Sequence, residues 1–346
     1  MAAGDFTPAL LQTVITSADA IWEDSQQKRK YTAQAEALKA VLRNQTAVLS
    51  PLTDRDKDNQ LSLVWTDSSD IVATNGIANC DLSEPELAAL SKPYTLDIRK
   101  KAGFSIDREK LRKSSLDRVE LAAKGQLIAL KQLDEIFAQT LVARLAGFAG
   151  VNTSARFGTV VGNTTNVALR DYNALSMVPE IIRAAVLNRM GSDFYALDGG
   201  ELFADLIRAK SGSLNADGKS DLDLFDQLDI TSDLFNFAAA GISEDLFVIA
   251  KSAVAVGSKV RNSDQIEVLP GKVAQTRYTV DSPTFGSAVK YDAYYQLSCV
   301  VPTGETREHI MDTWRFELNG GVFLNPEGVS ATNTGVLSFS KVANPV

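Results

Sequence analysis

A single histidine, His309, limits the chemistry open to this 346-residue chain. A Ser-His-Asp or Cys-His mechanism would have to run through it, because an imidazole is the usual base that activates a weak nucleophile near neutral pH. Its neighbours Glu308 and Asp312 predict a surface charge group instead, and no G-x-S-x-G elbow accompanies any candidate serine. The sequence also lacks the phosphate-cradling G-x-x-x-x-G-K-[ST] loop, the dinucleotide-binding G-x-G-x-x-G turn and the zinc-binding H-E-x-x-H pair. The nearest approach to a metal site is Ser213-Leu214-Asn215-Ala216-Asp217-Gly218, with Asp221 at the ninth position. Oxygen ligands at alternate positions ahead of a turn-making glycine are how a calcium loop begins. Its first position holds Ser, however, and its twelfth, where a bidentate Glu belongs, holds Leu224. The stretch therefore predicts an exposed acidic turn without bound calcium. Cys80 and Cys299 lie far apart, with no second thiol or imidazole at ligand spacing, and predict two free thiols in a reducing compartment. No catalytic, cofactor-binding or metal residue is predicted. An enzyme that works only through Asp, Glu, Lys or Tyr would escape this search, and carboxylates such as Asp117 or Glu120 would be its candidates.

The elements that could position any such residues are dominated by one long helix predicted over Ser115 to Ala149. Leu116, Val119, Ala123, Leu127, Leu130, Leu133, Phe137, Leu141 and Leu145 recur every three or four residues and form one stripe. At about 1.5 Å per residue such a helix runs roughly 50 Å, far beyond the usual length of about 11 to 12 residues. Ser114 and Asp117 resemble a capping box with Asp in place of Glu. Glu120 with Lys124, and Lys131 with Glu135, are spaced for favourable i, i+4 pairs on the solvent face. Gly125 is a local cost of about 1 kcal/mol.

Ahead of this helix, Thr7 and Pro8 predict the N-cap and first position of a helix through Trp22, with Leu10, Val14, Ala18 and Ile21 as its stripe. A second helix is predicted over Thr32 to Arg43. Leu61, Leu63 and Trp65 alternate with Ser62, Val64 and Thr66, and after the Asp67 to Asp70 turn a short run, Ile71 to Ala73, predicts the returning strand of an extended hairpin. Two strands alone are rarely stable in water. Tyr94, Leu96 and Ile98 then predict a strand that continues through Phe104 and Ile106 into the long helix. Beyond Gly150 the pattern turns mixed, with a helix over Pro179 to Met190 stopped by Gly191, another over Glu201 to Ala209, and a buried strand over Leu246 to Val256. From Ile266 onward the signal is strand: Val273 to Val280, Ala288 to Val301, Trp314 to Leu318 and Val336 to Phe339.

Composition narrows the function classes. Hydrophobic residues make up 45% and charged residues 23% of the chain, ordinary values for a folded protein, and the length suits one elaborate domain or two joined ones. A net charge of -8 argues against a sequence-reading nucleic-acid binder, and the Lys28-Arg29-Lys30 cluster is short and without aromatics. No apolar run approaches the roughly 20 residues that span a bilayer, and no signal peptide opens the chain, so a soluble cytoplasmic product without membrane contact is expected.

Taken in order, these segments resemble the major capsid proteins of tailed bacteriophages, the Hong Kong 97-type fold. Met1 to Arg43 is similar to that family's N-terminal arm, Leu52 to Asn79 to its extended hairpin or E-loop, and Tyr94 to Leu111 to its strand leading into the helix. Ser115 to Ala149 resembles its spine helix. Trp314-Arg315-Phe316-Glu317-Leu318 followed by Asn325-Pro326-Glu327-Gly328-Val329 resembles the closing strands of some members. The resemblance implies an α+β chain divided into an arm (1–44), an E-loop region (45–92), a peripheral domain with the spine (93–151), an axial domain (152–265) and returning strands shared by both domains (266–346). It implies a non-enzymatic subunit that self-assembles, as hexamers and pentamers, into the icosahedral shell around a double-stranded DNA genome, built in the host cytoplasm and located in the virion. No cofactor is implied. Implied partners are other copies of the chain, portal, scaffolding or decoration proteins, and packaged DNA held without sequence-specific binding. No removable scaffolding segment precedes the arm, which implies a separate scaffolding protein or none. An encapsulin-like compartment, a tail structural protein and a carboxylate-dependent enzyme are the alternatives.

Overall fold

The computed structural model describes residues 6–23, 48–51, 60–67, 88–112, 117–190, 194–200, 202, 204–205, 229–230, 237, 241–250, 253–263, 265–269, 275–325 and 333–344. The first half holds α1 (Pro8–Glu23), β1 (Val48–Pro51), β2 (Gln60–Asp67), β3 (Ala88–Thr95), β4 (Ile98–Asp107), α2 (Arg108–Leu111) and α3 (Arg118–Phe148). Then come β5 (Thr159–Val161), β6 (Thr164–Ala168), α4 (Ala174–Leu187), β7 (Phe194–Asp198) and β8 (Asp229–Ile230). The chain closes with β9 (Leu246–Ala250), β10 (Val254–Ser258), β11 (Glu267–Leu269), β12 (Gln275–Ser282), β13 (Gly286–Val300), β14 (His309–Leu324) and β15 (Val336–Val342). Three sheets form: β1-β2-β3, β10-β14-β13-β12-β11 with β4 on β14, and β5-β6-β15-β9-β7-β8. Helices and mostly antiparallel sheets make this an α+β chain.

The chain divides into two compact units. One gathers Met1–Lys39, Leu96–Leu141 and Val256–Gly321, the other Ala40–Thr95, Val142–Ala255 and Val322–Val346. In the first, the stripe of α3 is buried as its spacing predicts: Ala123, Leu127, Leu130, Leu133, Phe137 and Leu141 are each at most 2% exposed. Strand alternation supplies the facing layer, with Tyr278, Tyr291, Ala293, Trp314 and Phe316 buried. The Phe137 and Phe285 rings meet edge to face with centroids 5.7 Å apart. Gly125 has a positive role here. A Cβ at this position would lie 2.5 Å from the Phe104 ring, which stacks on Trp314 at 4.8 Å, so the glycine admits the aromatic stack against the helix. Leu116 and the Ser114 cap lie outside the described residues; Asp117 Oδ1 accepts the Val119 N–H at 3.1 Å.

α1 starts as expected, with Thr7 Oγ1 accepting the Leu10 N–H at 3.3 Å. Among its described side chains, Val14 of the expected stripe is buried and Leu11 is buried in place of Leu10, which is exposed; the side chains of Ala18 and Ile21 are not described. The expected Thr32 to Arg43 helix lies outside the described residues.

In the second unit, β2 pairs antiparallel with both β1 (Val64 with Val48) and β3 (Leu63 with Lys92). The expected returning strand, Ile71 to Ala73, lies outside the described residues; of the two strands that flank β2, β1 precedes it by eight residues and β3 comes twenty residues after it. The single strand expected through Tyr94 and Ile98 is two strands, because the chain leaves one sheet after Thr95 and joins β14 of another at Ile98. Tyr94 anchors β3, its OH donating to the Leu324 carbonyl at 3.2 Å and its ring lying 4.6 Å from Phe323.

α4 begins five residues earlier than Pro179 suggests. Asn173 caps it by accepting the Ser176 N–H at 3.1 Å, and Pro179 is accommodated inside the helix. Met177, Val178, Ile181, Ala184 and Ala185 pack with Val167, Leu246, Val248, Leu337 and Phe339 into the core of this unit. The helix ends with the Met190 N–H on the Ala185 carbonyl (2.9 Å) and Arg189 at φ 56°, a non-glycine residue in the left-handed cap position. The Leu246 to Val256 run is two strands, β9 and β10, bent through the Ala253 N–H to Ala250 carbonyl bond. Of the expected Glu201 to Ala209 helix, only residues 202 and 204–205 are described, as helix.

Candidate functional site

Three clusters of titratable groups in the first unit are each built around a buried side chain: Glu308 is exposed, as expected, but His309 and Asp312 are buried. The expectation for His309 is corrected by its position at the start of β14, where register places it beside the end of β13 and near Asp107 of β4. It is 7% exposed. Nδ1 lies 2.7 Å from Asp107 Oδ2 and Nε2 lies 2.7 Å from Glu305 Oε2, so both ring nitrogens are occupied by carboxylates. Asp107 also caps α2, accepting the Glu109 N–H at 2.9 Å and the Lys110 N–H at 3.2 Å. Burial pushes the Asp107 carboxyl up, but the His309 contact and the two backbone donors hold it below the usual carboxylate range. Among the described residues both ring nitrogens thus face carboxylates rather than the hydroxyl or thiol of a nucleophile.

Asp312 is fully buried and forms the second cluster. Arg108 reaches it through Nε (3.0 Å) and Nη2 (2.7 Å), Arg118 through Nε (2.8 Å) and Nη2 (2.8 Å), and the Tyr295 hydroxyl donates at 2.7 Å. Burial raises the pKa of this carboxyl, and the two guanidinium forks and the phenol together bring it below its ordinary value. Burial, and then Asp312 itself, push the Tyr295 phenol up. Phe6 closes the cluster, with Arg118 4.3 Å over its ring and Trp314 and Tyr295 at centroid distances of 5.0 and 5.6 Å. The start of the chain, β4–α2, α3, β13 and β14 meet on one carboxylate.

The third cluster lies on α3. Asp134 is completely buried and accepts hydrogen bonds from Ser282 Oγ (2.6 Å), the Thr284 N–H (3.1 Å) and the Tyr291 hydroxyl. Burial drives the Asp134 carboxyl up, against the pull of these donors and of the Lys131 charge. Lys131 was expected on the solvent face. It is 4% exposed and donates to Thr284 Oγ1 at 3.0 Å. A stripe argument sorts residues by hydrophobicity, so it misses a lysine and an aspartate buried together; their i, i+3 spacing is the one sequence signal that could have shown them. Glu120 and Lys124 do pair on the exposed face, at 2.5 Å.

A cavity of about 450 Å³ lies nearby, with Gln126, Leu130, Tyr278 and Lys290 in its wall. The Tyr278 OH donates to Gln126 Oε1 at 3.2 Å, and burial raises its pKa. Its charged groups, Asp281 and Lys290, lie 3.7 Å apart and neutralise each other. Asp117 and Glu120 are not in this wall. The described residues hold no cluster of metal-binding side chains, and no described helix is long and apolar enough to cross a membrane. The calcium-like loop, residues 213–224, lies outside the described residues, as does Cys80; Cys299 is a free, exposed thiol. Chemically, the His309, Asp312 and Asp134 clusters tie elements together through hydrogen bonds and ion pairs.

No protein-family model matches the chain, and no curated protein matches it. Solved structures do. The chain is similar to the mature capsid asymmetric unit of bacteriophage PhiM1 (12% identity, 86% of each chain covered, TM-score 0.46). It is also similar to the capsid of cyanophage P-SCSP1u (9% identity, 85% of this chain and 86% of that one, TM-score 0.45) and that of Ralstonia phage GP4 (11% identity, 84% and 86%, TM-score 0.41).

Proposed function

We propose that this chain is a major capsid protein of a tailed bacteriophage, a non-enzymatic subunit whose copies close into the icosahedral shell around the double-stranded DNA genome. One observation carries the reading: the succession of a capped helix, the β1–β3 sheet, β4 and then a 31-residue helix with a buried stripe follows the order of arm, E-loop, entering strand and spine. The commitment of buried titratable groups to one another supports a scaffold over a catalyst. In this reading residues 1–44 are the arm, 45–92 the E-loop region, 93–151 the peripheral domain, 152–265 the axial domain and 266–346 the returning strands.

Many modest interfaces repeated by symmetry replace one strong one in such a shell, and arms and hairpins gain stability by lying on neighbouring copies. The copies assemble as hexamers and pentamers in the host cytoplasm and remain in the virion. Portal, scaffolding and decoration proteins are the further partners. A subunit of net charge -8 holds packaged DNA weakly and without reading its sequence. Negative-stain microscopy of the purified full chain tests this reading. Closed shells or flat rings of subunits are the expected result, and a monodisperse monomer at high concentration overturns it.

A further inference from the structure

We propose that a cationic cleft at the start of β4 receives the aspartate-rich stretch 221–233 of a second copy of this chain; the inference names a contact within the shell reading and rests on it. Arg99, Lys100 and Lys101 lie at the exposed beginning of β4, and Arg261, on the loop after β10, faces them across a cavity of about 280 Å³. Among the described residues none of these four side chains makes a hydrogen bond or an ion pair. The two acids in the same wall have other partners, although Asp292 also attracts the Arg261 charge. Asp292 accepts the backbone N–H groups of Arg261 (2.9 Å) and Asn262 (2.8 Å), and Glu317 pairs with Arg315 at 3.0 Å. Four cations against two carboxylates, Asp292 and Glu317, leave this concavity of an acidic chain with a net positive charge that an anionic segment would neutralise. Lysines on an edge strand also discourage unwanted strand pairing, but that role leaves Arg261 unexplained.

The partner follows from charge. Residues 221–233 contain Asp221, Asp223, Asp226, Asp229 and Asp233 and no lysine or arginine. Asp229 opens β8, the edge strand of its sheet. Duplex DNA is the poorer fit, because it requires an extended cationic stripe and this cleft is a single concavity with Asp292 and Glu317 in its wall.

The test compares the full-length chain with K100E/K101E, D221K/D223K and the four-fold variant, using sedimentation velocity across a concentration series. Each pair of reversals should raise the concentration needed for assembly by about ten-fold, and the combination should restore it. K100A/K101A removes the charge without adding repulsion and should give a smaller loss, with circular dichroism reporting the fold of every variant. Carbodiimide treatment of assembled wild type mixed from ¹⁴N- and ¹⁵N-labelled chains should join Lys100 or Lys101 to an aspartate of 221–233 across differently labelled copies. Wild type that assembles while K100E/K101E and K100A/K101A assemble equally well overturns the contact alone, as do crosslinks confined to one chain. Unchanged assembly with loss of duplex DNA retention makes the cleft a DNA surface instead. Wild type that stays monomeric overturns both the contact and the shell.

Discussion

Arg108 and Arg118 both fork onto the Asp312 carboxylate, which makes that carboxylate hard to replace. Asp312→Asn should cost about 3 to 5 kcal/mol, since two desolvated guanidinium groups lose their anion. The pH dependence follows from the sign of the shift. Asp312 titrates lower in the folded chain than in the unfolded one, so its contribution is complete above about pH 3.9 and fades as pH falls through the folded value. Urea titrations should show the wild type losing stability below about pH 4, with a flatter acid limb in the variant. Lys131 is the second residue-scale test. On pattern alone, Leu130→Ala is costly and Lys131→Ala costs less than about 0.5 kcal/mol. With the ammonium buried against Thr284 and beside Asp134, Lys131→Ala should instead cost about 3 kcal/mol or more, within the roughly 2 to 5 kcal/mol range of Leu130→Ala. A near-neutral Lys131→Ala in the same titration would show the charge to be dispensable.

At the scale of elements, two helical positions oppose simple propensity. Gly125→Ala gains about 1 kcal/mol in an exposed helix, but here the new methyl group meets the Phe104 ring and should give a net loss of about 1 to 3 kcal/mol through overpacking. Thermal unfolding that rises on Gly125→Ala would mean the Phe104–Trp314 stack shifts without cost. Arg189 ends α4 in a conformation that costs a side chain roughly 1 kcal/mol. Arg189→Gly should therefore stabilise the protein by about 1 kcal/mol, read as a rise of about 2 to 4 °C in Tm.

For the whole molecule, the β1–β3 sheet is the element whose loss should separate folding from assembly. Deleting Ser62 to Ile71, which removes most of β2, should leave soluble subunits that form no particles, as sedimentation and microscopy would show; normal particles would remove this sheet from the assembly contacts. Much of this architecture is legible in the residues themselves. The 3.6-residue period from Ala123 to Leu145 specifies one long helix and its buried face, because a stripe of that width has no other way to leave water. Thr7–Pro8 starts α1, and the alternation in β12 to β15 declares a sheet, since both rest on neighbours a few residues apart. What depends on distant partners is decided only by the tertiary structure. β2 takes its second partner from β3, and His309 and Asp312 become buried because Asp107, Arg108 and Arg118 arrive from some two hundred residues away. Lys131 and Asp134 enter the core because the turn at Ser282 to Thr284 supplies their hydrogen bonds. Periodicity measures hydrophobicity along the chain; whether a charge can be buried depends on partners that only folding brings to it.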